Sequence, residues 1–402
     1  MFPDRRFVRH HKRQSDRAIS QAYRRLAQKS IAAAPFTDLL LCVRARSARL
    51  FDAPVINDRH LGIEAIFNLS RFADAFVRPI TNWAGSTARW RGATSSLAQH
   101  MLGRYDVAGF LGSAWYGVDD AGSEAERHWF IAHAAGRSFR SLDLPIQMTR
   151  RMEHIFLNSP DHLGIRHAMR RAELLALGAS DQLADAVLAT RVGTDLTHSA
   201  FWRAVWRFLI ANASAIDIGQ VGPLIDFLHS IRHERVPVET PTGRTMREPP
   251  QPDFSMRGRT PRSLLRLIDQ WHRGLGRVTG GLSWEPSPLR PMVLEIPRED
   301  PDAPPLRWEF TELTNSAQLR AEGAALRHCV ASYDYWCWRG GASIWSLRST
   351  TGSKARPILT IEVDRRRRAI VQARGFRNRQ PSGKALRLLH SWAARESLRI
   401  QL

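Results

Sequence analysis

The 402-residue sequence predicts an α+β protein: a mostly helical N-terminal region followed by a small C-terminal module whose antiparallel sheet, three-stranded or larger, is packed by helices. Three observations carry this. Apolar residues recur at three- and four-residue spacings through residues 1–235, Pro-rich stretches interrupt residues 236–305, and alternating segments bounded by turn signals appear in residues 306–402. Those three ranges are the expected domain division, with one helix, about 261–274, inside the connecting segment.

The chain opens on a basic arm, with nine Arg or Lys against two acids in residues 1–30. Ile165, Ala168, Met169, Ala172 and Leu175 then form one helical stripe, stopped at Gly178. Leu183, Ala184, Val187 and Leu188 form a second, and Phe201, Trp202, Val205, Phe208 and Leu209 the clearest. Short connections between such helices favour antiparallel neighbours. The proline-interrupted run from Val236 to Thr260 supports neither helix nor central strand. Thr260 as N-cap and Pro261 at the first helical position start the next helix, whose inner face is Leu264, Leu265, Ile268 and Trp271. Arg257 and Arg259 beside that start are candidate anion-holding residues, because free amides and the helix dipole add to their charge. A capped surface helix with solvated arginines is the plain alternative.

In the last hundred residues Asn315 is expected to cap a helix reaching Val330, with Gln318 closing a capping box, Leu319, Leu326 and Val330 inside, and Gly323 permitting close approach. His328 and Cys329 fall in its last turn. After Gly340-Gly341, three strands are expected over Ser343–Arg348, Ile358–Val363 and Ala369–Arg374, with Asp364–Arg368 as the turn between the last two. The simplest topology is an antiparallel meander in which Glu362 faces Ala369 or a near neighbour. A closing helix with Ala385, Leu388, Leu389 and Trp392 on one face packs on the sheet.

The stretch from Leu326 to Asn378 reads Leu-Arg-His-Cys-Val, Tyr333, Cys-x-x-Gly, Ile-Trp-Ser-Leu-Arg, Thr-Ile-Glu-Val and Gln-x-Arg-Gly-x-x-Asn. In this it resembles the core of the PcfJ-like family, most closely over residues 308–398. Trp336 and Trp338 are extra residues in the Tyr333–Gly340 stretch. The resemblance implies a bacterial protein from the setting of conjugative plasmids, phages and other mobile genetic elements. It brings no established reaction with it.

Composition points to partners. The net charge is +21, with +10 of it in residues 301–402, and such a field attracts polyanions. Nucleic acid, DNA or RNA, is the expected partner. Only four of the 59 basic side chains are lysine, and arginine suits bidentate phosphate contacts, but with the many alanines it also suits a genome of biased base composition. The longest apolar run, near Leu39–Val43, is far short of a membrane span, so no membrane partner is expected. The basic start is unlike a secretory signal, and three cysteines read as reduced thiols, so the expected location is cytoplasmic.

Three functional readings stand. The leading one is nucleic-acid binding without a cofactor, through Arg348, Arg365, Arg366, Arg367, Arg368, Arg374, Arg377 and Asn378, with Trp336, Trp338, Trp345 or Phe376 stacking on bases. The alternative is an enzyme, cysteine-dependent or nuclease-like, centred on Cys329, Glu362 and Gln372. Against the cysteine, adjacent helical residues point about 100° apart, which separates His328 from Cys329, and a thiol near a helix C-terminus lacks help from the dipole. A glutamate on a strand is more often a cross-strand ion-pair partner, here for Arg348 or Arg374. No metal site is expected, since Cys329, Cys337 and His328 lack a fourth ligand. The remaining alternative is a protein-interaction scaffold.

Overall fold

The protein was analysed as a computed structural model, which describes residues 5–56, 59–116, 121–240, 243–275, 282–296, 305–328, 330–338, 340–351, 354–365 and 368–400. The chain divides into two compact units, one of residues 1–180 and 193–199, the other of 181–192 and 200–402. The α+β class read from the sequence is what the structure shows.

The first unit holds α1 (Arg5–Gln28), α2 (Ala34–Arg46), a two-residue pair β1 (Val55–Ile56) and β2 (Arg59–His60), α3 (Leu61–Ser70) and α4 (Trp90–Leu102). They are followed by α5 (Ser113–Tyr116), α6 (Ala121–Ala134), α7 (Arg150–Leu157) and α8 (Ile165–Ala176). Its core is aromatic. Phe110, Phe139 and Phe156 meet edge to face at centroid distances of 5.0 and 4.8 Å, the favoured arrangement of ring quadrupoles. Two fully buried arginines are compensated locally: Arg127 by Glu124 at 2.9 Å and the Ala114 carbonyl, Arg170 by Glu173 and the Asp195 carbonyl.

The second unit begins with α9 (Asp181–Leu188) and continues through α10 (Ser199–Ala211), whose first residue falls in the other unit, and α11 (Ile218–His233). The proline-rich stretch that follows is not wholly irregular. It forms a two-stranded ribbon, β3 (Val236–Thr240) with β4 (Gly243–Arg247), which tolerates Pro237 as a wider sheet would not. Next comes α12 (Pro261–Leu275), capped by Thr260, whose hydroxyl accepts from the Ser263 amide.

The main sheet has six strands: β5 (Met292–Ile296), β6 (Leu306–Leu313), β7 (Ala342–Thr351), β8 (Lys354–Asp364), β9 (Ala369–Arg374) and β10 (Arg399–Ile400). β7 to β9 form the expected antiparallel meander, extended on the β7 side by two further antiparallel strands, β6 and β5, while β10 pairs parallel with β9. One face is apolar. There Trp345, Leu347, Ile361, Val363, Ile370 and Ala373 pack against Leu388, Leu389 and Trp392 of α15 (Gly383–Arg395), as read from the sequence. Trp392 stacks on Phe310 at 4.8 Å and donates its indole N–H to the Arg290 carbonyl.

The opposite face is covered by α13 (Ser316–Leu326), a 3-10 turn over Val330–Tyr333 and α14 (Asp334–Trp338), with Leu313, Leu319, Val330, Cys337 and Ile344 as its small core. Asn315 caps α13 as expected, its side chain accepting from the Gln318 amide, while the Gln318 side chain reaches the Thr314 amide rather than that of the cap. The helix is shorter than its spacing suggested. It stops at Leu326 because Arg327 takes a left-handed conformation (φ 54°), so His328 lies beyond the helix rather than in its last turn. The chain then folds back over Gly323, where a β-carbon would sit 2.8 Å from the His328 carbonyl oxygen.

Candidate functional site

The polar residues of the C-terminal sheet gather because of one irregularity. Counting back from the Asp364–Ala369 pair, regular alternation sets Glu362 opposite Val371 and turns Gln372 and Arg374 toward α15. Instead the register shifts between Glu362 and Val363, leaving Val371 as the extra residue of a β-bulge. Glu362 therefore pairs with Gln372, not with Ala369, and Thr360 with Arg374. All four line one cavity on the face away from α15, while Ile370 and Ala373, three residues apart, both stay in the apolar core.

That inner cavity encloses about 30 Å³, room for roughly two waters. Its floor is Ile344, Thr360, Glu362, Gln372 and Arg374 from the sheet, and its walls are His328, Val330 and Tyr333 after α13, Asp226 of α11 and Arg191 after α9. His328 is buried and Tyr333 donates its hydroxyl proton to Glu362. Burial pushes the Glu362 carboxyl up to about 7, against the opposing pull of the Arg191 guanidinium and the Tyr333 hydrogen bond. Arg191 is itself held by Glu234, His229 and Asp226. Burial acts to raise Glu234, but the His229 hydrogen bond and Arg191 outweigh it and hold that carboxyl down at about 2. Arg374 donates to the Ala373 and Ala189 carbonyls and to Gln380.

Through Asp226, Gln372 and Arg374 the cavity adjoins a wider cleft of about 610 Å³, a size that accommodates a ligand of several rings. Arg377, Arg379, Gln380, Gln182 and Thr190 line it, along with the carboxylates of Asp185 and Asp226. Phe376, 41% exposed, stands next to Arg377, with the Arg327 and Arg377 guanidiniums 5.6 and 5.4 Å from its ring centre.

The expected site residues thus separate. Glu362, Gln372, Arg374 and Arg377 come together. Arg348 does not join them and is not the ion-pair partner of Glu362. It pairs with Glu322 at 3.5 Å and bonds Ser346, and Thr360 completes that network by donating to Glu322. Arg365 is half-buried near Glu312, and Arg368 is exposed and donates to the Glu396 carbonyl. Arg257 and Arg259 are exposed before α12, with Arg259 over the Phe254 ring at 4.7 Å. Cys329, Arg366 and Arg367 lie outside the described residues, as do the side chains of Asn378 and Trp336. Trp345 is core, while Trp338 is 44% exposed. Cys337 is a buried core thiol that burial, and then the Glu362 charge, pushes up to about 12. Among the described residues no group of three His, Cys, Asp or Glu is placed to hold a metal ion, and no helix is long and apolar enough to cross a membrane.

Arg191, Asp226 and Tyr333 are site residues that sequence reasoning did not select. Tyr333 stood inside the conspicuous motif, but Arg191 and Asp226 come from helical segments more than a hundred residues earlier and carry no local signal.

Fold and site together define an α+β protein with a buried polar pocket on the inner face of an antiparallel sheet. A model of the PcfJ-like protein family matches residues 309–387, so the C-terminal module is PcfJ-like, as its motifs indicated. That range covers α13, β7, β8 and β9 and therefore most of the pocket, but not Arg191 or Asp226. Comparison with curated proteins and with solved structures gave no match.

Proposed function

We propose that this protein binds nucleic acid, taking a single strand along the cleft beside the C-terminal sheet. The observation that carries the reading is the convergence of Arg374, Arg377 and Arg379 on one cleft, with the exposed Phe376 ring 5.4 Å from the Arg377 guanidinium. Arginine forks match phosphate oxygens, and an exposed aromatic face accepts an unpaired base of any identity. Asp185 and Asp226 make the cleft less positive than its arginines alone would, which favours a strand held on one side over non-specific coating by polyanion. The resemblance supports a bacterial protein linked to mobile genetic elements, and the few cysteines support a cytoplasmic one.

Fluorescence anisotropy of the full chain with labelled single strands, over a salt series, tests this. Affinity should fall linearly on a log–log plot, and Arg377→Ala with Arg379→Ala should flatten the slope by about 1.4, roughly 0.7 per lost phosphate contact. Phe376→Ala should weaken binding by about 1–3 kcal/mol at every salt concentration. Absence of binding at low salt, or binding indifferent to all three substitutions, rejects the proposal.

A further inference from the structure

The main sheet ends on one side in β5, which among the described residues has β6 as its single neighbour. Its outer row of amide and carbonyl groups meets no strand, and an unpaired edge of this kind is a template for another one. The side chains are open as well. Val293 is 45% exposed and Leu294 39%, and since successive residues of a strand point to opposite faces, apolar surface is bared on both sides of the edge. On the α15 face this surface continues inward, with Leu294 across from Trp308 and Met292 across from the buried Phe310. The surroundings do not suit a polyanion. In a chain of net charge +21, residues 291–309 hold five acids against two bases, so here two such chains can meet without the repulsion of their arginine-rich parts.

We propose that β5 is a dimerisation edge, pairing antiparallel with β5 of a second copy of this chain about a two-fold axis at Leu294. The register follows from the strand's own sequence. Centred on Leu294, all five residues pair: Leu294 with its counterpart, Met292 with Ile296 and Val293 with Glu295. Apolar residues then meet on the α15 face, and no like charges stand opposite each other. Centring on Glu295 would oppose two carboxylates, and centring on Val293 would leave three pairs within the strand. Pro291 and Pro297 bound the strand and hold it to that length. The axis keeps like faces together, so Trp308, Leu294, Leu294 and Trp308 form one apolar row across the junction of a continuous sheet with six strands from each copy. A lone peptide strand would bring no second sheet behind it. A second copy brings its own Trp308, covers both edges at once and, being an isologous contact, closes at the dimer.

Sedimentation velocity of the full chain over a concentration series should show a reversible dimer whose affinity holds or rises with salt, the opposite of nucleic-acid binding. Leu294→Glu sets two carboxylates face to face at the axis and should weaken the dimer by about tenfold or more, with far-UV circular dichroism unchanged. Cross-linking reads the register directly and decides alone should that variant fail to fold. Directly opposed residues of antiparallel strands have α-carbons about 4.5–5.5 Å apart, within disulfide reach, whereas Val293 and its counterpart stand two residues out of register. Mild oxidation should therefore cross-link Leu294→Cys readily and Val293→Cys or the parent little, although Val293 is the more exposed. A monomer at every concentration, a dimer that Leu294→Glu leaves intact, a dimer that weakens as salt rises, or equal cross-linking of the two cysteine variants overturns the proposal.

Discussion

Glu362 is the residue on which the pocket turns, and its burial has a consequence for stability that needs no ligand. Its folded-state pKa is raised, to about 7, above the ordinary 4.5 of the unfolded chain, so the folded state holds the proton more tightly. Stability associated with this group is full below pH 4.5, declines as pH rises through 7 and is then constant, amounting at most to something on the order of 3 kcal/mol. Urea unfolding of the parent and of Glu362→Gln at a series of pH values isolates this group. The parent should lose stability relative to the variant between pH 4.5 and 7, and parallel curves across that window would contradict the account. Glu234, held down at about 2, works in the opposite direction, since its contribution is present above pH 4.5 and lost only in strong acid. Glu312 and Glu322, also raised by burial, act in the same direction as Glu362, which is why the comparison with Glu362→Gln is needed.

At the scale of elements, two local departures from regularity build the site: the bulge at Val371 and the stop of α13 at Arg327. The second can be tested through Gly323. A methyl group there would meet the His328 carbonyl oxygen at 2.8 Å, and since that partner is backbone, the returning chain must move. Gly323→Ala should cost about 1–3 kcal/mol in chemical denaturation, despite alanine's better helix propensity, which would otherwise make it stabilising. These departures also explain what was legible in the sequence. Alternation of Ser343–Arg348 and the stripe Ala385, Leu388, Leu389 and Trp392 marked strand and helix because burial on one face enforces a period. A period cannot announce its own interruption, so the pattern sets Glu362 opposite Ala369 or a near neighbour where the bulge sets it opposite Gln372, and it carries α13 on to Val330. Gly323 was read correctly because close approach requires a particular residue type rather than a pattern. His328, set aside as pointing away from Cys329 on a helix, enters the cavity because it is not on that helix.

At the scale of the whole molecule, the question is whether a net charge of +21 acts as a diffuse field or through a place. With 55 arginines among 402 residues, any polyanion will be attracted, and removing any two will weaken that attraction somewhat. The cleft and the start of α12 offer a matched comparison. Arg377 with Arg379 lines the cleft, whereas Arg257 with Arg259 is exposed elsewhere in the same unit, and either double alanine substitution lowers the net charge by the same two. A diffuse field acts on charge alone, so the two doubles should then lose affinity equally and both losses should fade together as salt approaches the molar range, where the screening length is about 3 Å. Direct phosphate contacts behave differently. The cleft double should bind single strands at least about tenfold more weakly than the Arg257/Arg259 double at about 0.15 M salt, a difference of roughly 1.4 kcal/mol. The gap should lie in the dissociation rate, because lost contacts appear mainly in dissociation, whereas lost steering appears in association. Stopped-flow association and dissociation rates for the parent and both doubles decide the matter, and equal rates for the two doubles would assign the binding to the field and remove the cleft from the account.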